Sequence, residues 1–271
     1  MKYYINGKYV QENDAKISIH DMGFSYGYGI FETMRFDKKK IFSYTDHIDR
    51  LYNGLKISKI KINKSKNQIL SILNKVININ NLESGLLKLI ITKGNENNLK
   101  KINSSIFVII KPFYEIPKIP VKVFYLDEKE FPIIRYNPAI KSINYMGNIM
   151  AREYCESMNV FESVFFNKDK IVTECAMRNI FFIKNKVLYT PSLDLGILAG
   201  IMRGLIINIA RDLKLEVNER KIPLNEAKLM DEAFISSTGI GLVECYWDNW
   251  KSDYYYSKRI KKELFNRIKN N

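Results

Sequence analysis

Three prolines close together, Pro112, Pro117 and Pro120, divide this chain more firmly than any other feature of it. Each fixes φ and removes a backbone donor, so neither a helix nor a central strand runs through the stretch they occupy. We expect a first domain over residues 1–112, a linker over 113–120 and a second domain over 121–271. With 271 residues, 46% of them hydrophobic, each side has apolar side chains for a modest core of its own.

The first block reads as strands with two amphipathic helices. In Tyr3-Tyr-Ile-Asn-Gly-Lys-Tyr-Val10, the Asn6-Gly7 pair tolerates the positive φ of a type I′ turn and predicts a hairpin. The glycines from Gly23 to Gly29 feed a strand that alternates from Gly29 onward. Their spacing is neither a dinucleotide fingerprint nor a Walker loop, so a tight bend is expected there. Over 45–55, Ile48, Leu51 and Leu55 share a helical face, with Thr45 as the expected N-cap. Arg50 lies on another face, either solvated or ligating an anion. A second helix is expected over 65–79, and strands over 86–92 and 105–111.

The second block opens with a strand over 121–125 and then isolates one lysine, Lys141, between the Asn137-Pro138 loop and an amphipathic helix over 145–157. That helix should turn Met146, Ile149, Met150 and Tyr154 inward. Short strands are expected over 163–166, 171–174, 179–183, 187–189, 215–218 and 233–235, with helices over 201–212, 224–230 and the basic C-terminus. The loop entering the helix at Ile201 leaves backbone N–H groups and a positive helix end at Gly200, Ile201 and Met202, a seat for phosphate. Ser236-Ser-Thr-Gly239, following a strand, can offer hydroxyls, Ser237 and Thr238 among them, to the same anion.

Composition removes several function classes. The net charge of +14 comes from lysines spread along the whole chain, with no basic stripe interleaved with stacking aromatics, so nucleic acid is not the expected partner. A basic pocket still attracts a small anionic substrate. Cys155, Cys175 and Cys245 form no CxxC pair and the histidines are only His20 and His47, so neither a disulfide framework nor a metal site is expected. No run approaches the ~20 apolar residues that span a bilayer, and we expect a cytoplasmic protein without membrane contact.

Several strings in order then carry a resemblance: Gly29-Ile-Phe-Glu-Thr-Met-Arg35, His47-Ile-Asp-Arg-Leu51, Lys141-Ser-Ile-Asn-Tyr-Met-Gly-Asn148, Glu174 with Asn179-Ile-Phe181, Tyr189-Thr-Pro-Ser-Leu-Asp-Leu-Gly-Ile-Leu-Ala-Gly-Ile-Met-Arg203, and Asp231-Glu-Ala-Phe-Ile-Ser-Ser-Thr-Gly239. Together they resemble the class IV pyridoxal-phosphate enzymes, which include branched-chain aminotransferase, D-amino acid transaminase and 4-amino-4-deoxychorismate lyase. The resemblance implies an α/β (α+β), two-domain enzyme of fold type IV, with an N-terminal α/β sandwich and a C-terminal barrel-like domain with helices. It also implies pyridoxal 5′-phosphate in the interdomain cleft and a homodimer. By the same carry-over, Lys141 matches the Schiff-base lysine, Arg50 a phosphate ligand and Glu174 the acid facing the pyridine nitrogen. Asn179 matches a cofactor-site residue, Gly200, Ile201 and Met202 the backbone phosphate seat, and Ser237 and Thr238 its hydroxyl wall. Met202 stands where the family usually has Thr, which leaves the N–H groups as donors.

The chemistry suits those residue types. A lysine amine condenses with an aldehyde and, once displaced, is a base beside the carbon that must lose a proton. A carboxylate against the ring nitrogen keeps the ring electron-withdrawing. Within the family, the Phe-Glu-Thr-Met-Arg35 string and the loop before Gly200 look most like 4-amino-4-deoxychorismate lyase. Phe31 stands where D-amino acid transaminases tend to carry Tyr, and residues 92–98 lack the Arg and His those enzymes use. Arg35 and Lys88 are candidate partners for substrate carboxylates. The expected reaction makes 4-aminobenzoate and pyruvate, with a branched-chain or related aminotransferase as the alternative and a non-catalytic basic binding protein as the remote one.

Overall fold

A computed structural model describes residues 1–95 and 104–269. It divides into two compact units, Met1–Tyr114 with Ile140–Asn144, and Glu115–Ala139 with Tyr145–Asn271. The division differs from the expected block over 121–271, because the segment that carries Lys141 packs with the first unit. No helix among the described residues is long and apolar enough to cross a membrane.

The first unit runs β1 (Lys2–Ile5), β2 (Lys8–Gln11), α1 (Met22–Tyr26), β3 (Gly29–Asp37), β4 (Lys40–Ile41), α2 (Tyr44–Ile57), α3 (Lys66–Asn80), β5 (Gly85–Thr92) and β6 (Ser105–Lys111). Asn6 (φ 46°) and Gly7 (φ 97°) make the expected hairpin turn, with Ile5 opposite Lys8. Its strands form a sheet of order β2-β1-β6-β5-β3-β4. Alternation along β3 sends Ile30, Met34 and Phe36 to one face, where they pack with Leu51 and Leu55 of α2, Ile69 and Leu73 of α3, and Leu87 and Leu89 of β5. Phe31, Thr33 and Arg35 take the other face, beside Ile90, Lys88 and Leu86.

The two longer helices of this unit, α2 and α3, hold their apolar stripes on the sheet, but their starts differ. Ser65 and Gln68 close a capping box at α3. At α2 the expected Thr45 cap is replaced by Ser43, in the left-handed region at φ 46° and without a side-chain cap bond, because the helix begins at Tyr44.

The second unit contains β7 (Val121–Asp127), α4 (Met146–Ser157), β8 (Glu162–Phe166), β9 (Ile171–Cys175), β10 (Asn179–Lys184), β11 (Val187–Pro191), α5 (Ile201–Asp212), β12 (Glu216–Arg220), β13 (Ile222–Pro223), α6 (Leu224–Ala227), β14 (Glu232–Ser237), β15 (Gly241–Tyr246) and α7 (Tyr255–Lys269). Its sheet has the order β12-β11-β10-β14-β15-β7-β8-β9-β13 and curls into a near-barrel. Val123, Val164, Ile180, Phe182, Ile235 and Val243 fill one core of it.

Three expectations fail here. α4 buries Gly147, Ala151 and Cys155, one residue every four, while Met146, Met150 and Tyr154 face solvent. Small side chains let the helix approach closely: a Cβ on Gly147 would meet the Pro132 carbonyl. β15 was not expected, since its Gly-Leu-Val-Glu-Cys-Tyr run lacks the polar alternation of a one-sided strand. It lies between β14 and β7, with Leu242, Val243 and Cys245 all buried. α6 is also one turn, shorter than the expected 224–230.

Candidate active site

The predicted site residues fall into two groups, one in each unit. In the first unit, the Lys141 segment adds itself to the edge of β3. Phe31 N–H donates to the Lys141 carbonyl at 2.9 Å, Ile143 N–H donates to the Gly29 carbonyl at 3.0 Å, and Ile30 bridges Ser142. The corner read from sequence is therefore a short strand-like anchor. The Lys141 Nζ lies 4.5 Å from the Phe31 ring centroid and the Lys88 Nζ 4.8 Å from it, so one aromatic side chain touches two ammonium groups. Burial, then the charges of Lys111 and Lys141, push the Lys88 pKa down. Arg35, on the same sheet face, stacks over Phe113 with its charge centre 5.0 Å from the ring, and its buried Nε has no hydrogen-bond partner among the described residues.

Arg50 is neither solvated nor alone. Its Nε donates to Glu32 Oε1 and its Nη2 to Glu32 Oε2, both at 2.7 Å, and the His47 Nδ1 stands 2.7 Å from Oε2. Glu32 and His47 are fully buried and Arg50 is 15% exposed. Burial alone would raise the Glu32 pKa, but the Arg50 charge and the bonds from Arg50 and His47 outweigh it and bring it to about 2. For His47 burial is the largest influence and lowers the pKa, against the pull of Glu32, so the ring is neutral and Nδ1–H donates to the carboxylate.

In the second unit, Glu174 on β9 receives Arg135 on Oε1, and on Oε2 the Leu198 N–H at 3.2 Å and Asn179 Nδ2 at 3.5 Å. Arg135 also donates to Glu128 and, at 3.1 Å, to Thr173. Asn179 Nδ2 binds the Leu198 carbonyl at 3.0 Å, which draws the loop before α5 onto β10. Gly200 then begins α5 with no side-chain cap, and a Cβ there would overlap Asn179 Oδ1. Met202 is buried, 1% exposed, so this position has only its backbone N–H to offer. Ser237 ends β14 and Thr238 follows in the turn to β15.

Sequence reading missed Glu32, His47 as its partner, and Arg135. Glu32 had a signal: it is the single charge in the buried alternation Ile30, Met34, Phe36. Arg135 had none, because Glu128 and Glu174 reach it only through folding. Of the 92–98 segment, residues 96–98 lie outside the described residues.

Comparison with known proteins gives the family. The class IV amino-transferase family model matches residues 29–245. A Methanocaldococcus jannaschii protein whose name assigns it to the branched-chain-amino-acid aminotransferases is 32% identical, over 91% of this chain and 87% of its own. The D-alanine aminotransferase of Listeria innocua is 32% identical over 90% and 86%, and the aminodeoxychorismate lyase of Bacillus subtilis 32% over 89% and 84%. Among solved structures, a Legionella pneumophila protein named for 4-amino-4-deoxychorismate lyase superposes with a TM-score of 0.84 at 26% identity, covering 95% of this chain and 97% of that one. The chain belongs to the class IV aminotransferase family. It is an enzyme of fold type IV, and its cofactor is pyridoxal 5′-phosphate.

The residues present fit that cofactor. In the first unit Lys141 offers an amine and Arg50 a guanidinium; in the second Glu174 offers a carboxylate bound on both oxygens, and the start of α5 offers backbone N–H groups without a side-chain cap, the group types that an aldehyde, a pyridine nitrogen and a phosphate call for.

Proposed function

We propose that this enzyme is a lyase that converts 4-amino-4-deoxychorismate to 4-aminobenzoate and pyruvate. The observation that carries the reading is the sheet face shared by Phe31, Arg35 and Lys88, on which the Phe31 ring meets both the Lys88 and the Lys141 amines. The substrate is a six-membered ring with two carboxylates. Phe31 suits the ring, and the half-buried Arg35 and Lys88 suit the carboxylates.

Pyridoxal phosphate, when bound, supplies an aldehyde for the substrate amine and a ring that accepts an electron pair. The chain's residues do the rest. The Lys141 Nζ takes the proton from the amine-bearing carbon. Glu174, held by Arg135 and the Leu198 N–H, keeps its negative charge toward the pyridine nitrogen. Arg50, the backbone of Gly200, Ile201 and Met202, and the hydroxyls of Ser237 and Thr238 hold the phosphate, while Asn179 fixes the approach of Gly200. Departure of the enolpyruvyl group as pyruvate leaves an aromatic ring, which favours the forward direction, in the supply of a folate precursor. We further propose a cytoplasmic homodimer. The large apolar side chains Ile19 and Phe24, 71% and 70% exposed, support the pairing.

The test supplies 4-amino-4-deoxychorismate with no 2-oxo acid and measures pyruvate and 4-aminobenzoate. A second reading, amino transfer, is favoured by the names of the archaeal and Listeria relatives. Transfer from leucine, isoleucine or valine to 2-oxoglutarate, with no pyruvate from the first assay, would replace the lyase reading with it.

A further inference from the structure

An arginine that already has a carboxylate on it is an odd choice for catching an anion, and the burial of the Glu32, His47 and Arg50 group explains the choice. Glu32 uses both oxygens on one edge of the Arg50 guanidinium, through Nε and Nη2. Such a side-on fork fixes the plane of the group and its rotation about the side-chain axis, which a single bond does not. His47 in turn takes Oε2 at 2.7 Å, so the carboxylate cannot swing. Exposure is graded: Glu32 and His47 are at 0% and Arg50 at 15%. A solute therefore meets the guanidinium and never the carboxylate.

We infer that Glu32, braced by His47, is a positioning residue for phosphate capture: it aims the Arg50 guanidinium and cancels its charge, so that selectivity for the phosphate comes from direction rather than from net charge. The inference rests on the reading of Arg50 as a phosphate ligand. It extends the site to two residues that touch neither phosphate nor substrate. Their spacing is legible afterwards: Glu32 belongs to the buried side of β3, and His47 and Arg50 are three apart on α2, hence on neighbouring positions of one helix face.

The test compares binding of pyridoxal 5′-phosphate and of pyridoxal, which lacks the phosphate, to cofactor-stripped enzyme by absorbance titration. Glu32→Gln keeps the shape and removes the charge. It should weaken pyridoxal 5′-phosphate about tenfold, the scale of one charge-assisted hydrogen bond, and pyridoxal less than about twofold. In an Arg50→Ala background the same change should have no further effect on the ratio. Equal weakening of both ligands, or a fall in thermal midpoint with the ratio unchanged, would make Glu32 merely structural and overturn the inference. A ratio untouched by Arg50→Ala would instead remove the phosphate role of Arg50, and the inference with it. If Glu32→Gln does not fold, Glu32→Asp keeps the charge and shortens the arm. A lowered ratio then supports the inference, and an unchanged one overturns it.

Discussion

Two groups of paired charges, one in each unit, are built in opposite ways. In the first, the cation Arg50 sits at the partly exposed end of a chain whose other members, Glu32 and His47, are fully buried. In the second, Glu174, Arg135 and Glu128 share the surface more evenly, with side-chain exposures of 14%, 19% and 17%. A buried partner has no water to fall back on when its mate is removed, whereas a partly exposed one does. The first group should therefore behave as a unit, and the second as separable contacts.

Removing Lys141 is the largest change available. Lys141→Ala should lower turnover by at least the ~10²–10⁴-fold of a general acid–base, in either reaction, and abolish capture of the cofactor by borohydride. Retained turnover would move the chemistry to another amine. Next, Glu32→Ala should cost about 3–5 kcal/mol in denaturant unfolding, because it removes the buried carboxylate that Arg50 and His47 share. Glu128→Ala should cost only about 1 kcal/mol, since Arg135 keeps Glu174 and water reaches the gap. Equal losses would erase the contrast between the units.

Smaller effects sharpen the same contrast. Gly200→Ala should push the start of α5 off Asn179, at about 1–3 kcal/mol by overpacking, and weaken pyridoxal 5′-phosphate more than it weakens pyridoxal. An unchanged affinity ratio would detach Gly200 from the phosphate seat. Substitution of Lys88 by Gln should raise KM for a dicarboxylate substrate more than it changes kcat, and steady-state kinetics separate the two.

Acid should act on the first unit by two routes of the same sign. The Glu32 pKa falls from 4.5 to about 2 on folding, so its stabilisation is present above pH 4.5 and is lost as pH drops toward 2. The His47 pKa falls below its ordinary 6.5, so the unfolded chain binds the proton first and stability declines as pH drops below 6.5. A His47→Gln variant should lose the upper part of that slope and keep the lower, as denaturation midpoints against pH would show. An unaltered slope would mean that the ring titrates equally in both states.

Local rules made much of this legible. The bounds of α5, 201–212, follow from its glycine entry and apolar stripe, and the hairpin at Asn6-Gly7 from the φ its residues tolerate. What the sequence hides is which of two plausible faces is buried. In α4 the large apolar residues look like the core face, yet the small ones pack, and at Gly147 the Pro132–Ile133 backbone leaves no room even for a Cβ. β15 is hidden for the opposite reason, since a strand buried on both sides has no alternation to read. The site shows the same split. Lys141, Glu174 and the α5 entry announce themselves by motif, while Arg135 acquires its acids only when β7, β9 and the loop after β7 meet.

The Lys141 segment has a consequence for any attempt to take the protein apart. Since Ile140–Asn144 belongs with Met1–Tyr114 while the residues on both sides of it belong to the other unit, the polypeptide changes unit three times. A fragment ending at Tyr114 would own the sheet, Arg50 and Glu32 and be missing Lys141 together with the two backbone bonds that seat its segment on β3. One cut cannot yield two intact halves, and a recombinant exchange of the first half between relatives would have to transplant a five-residue island along with it.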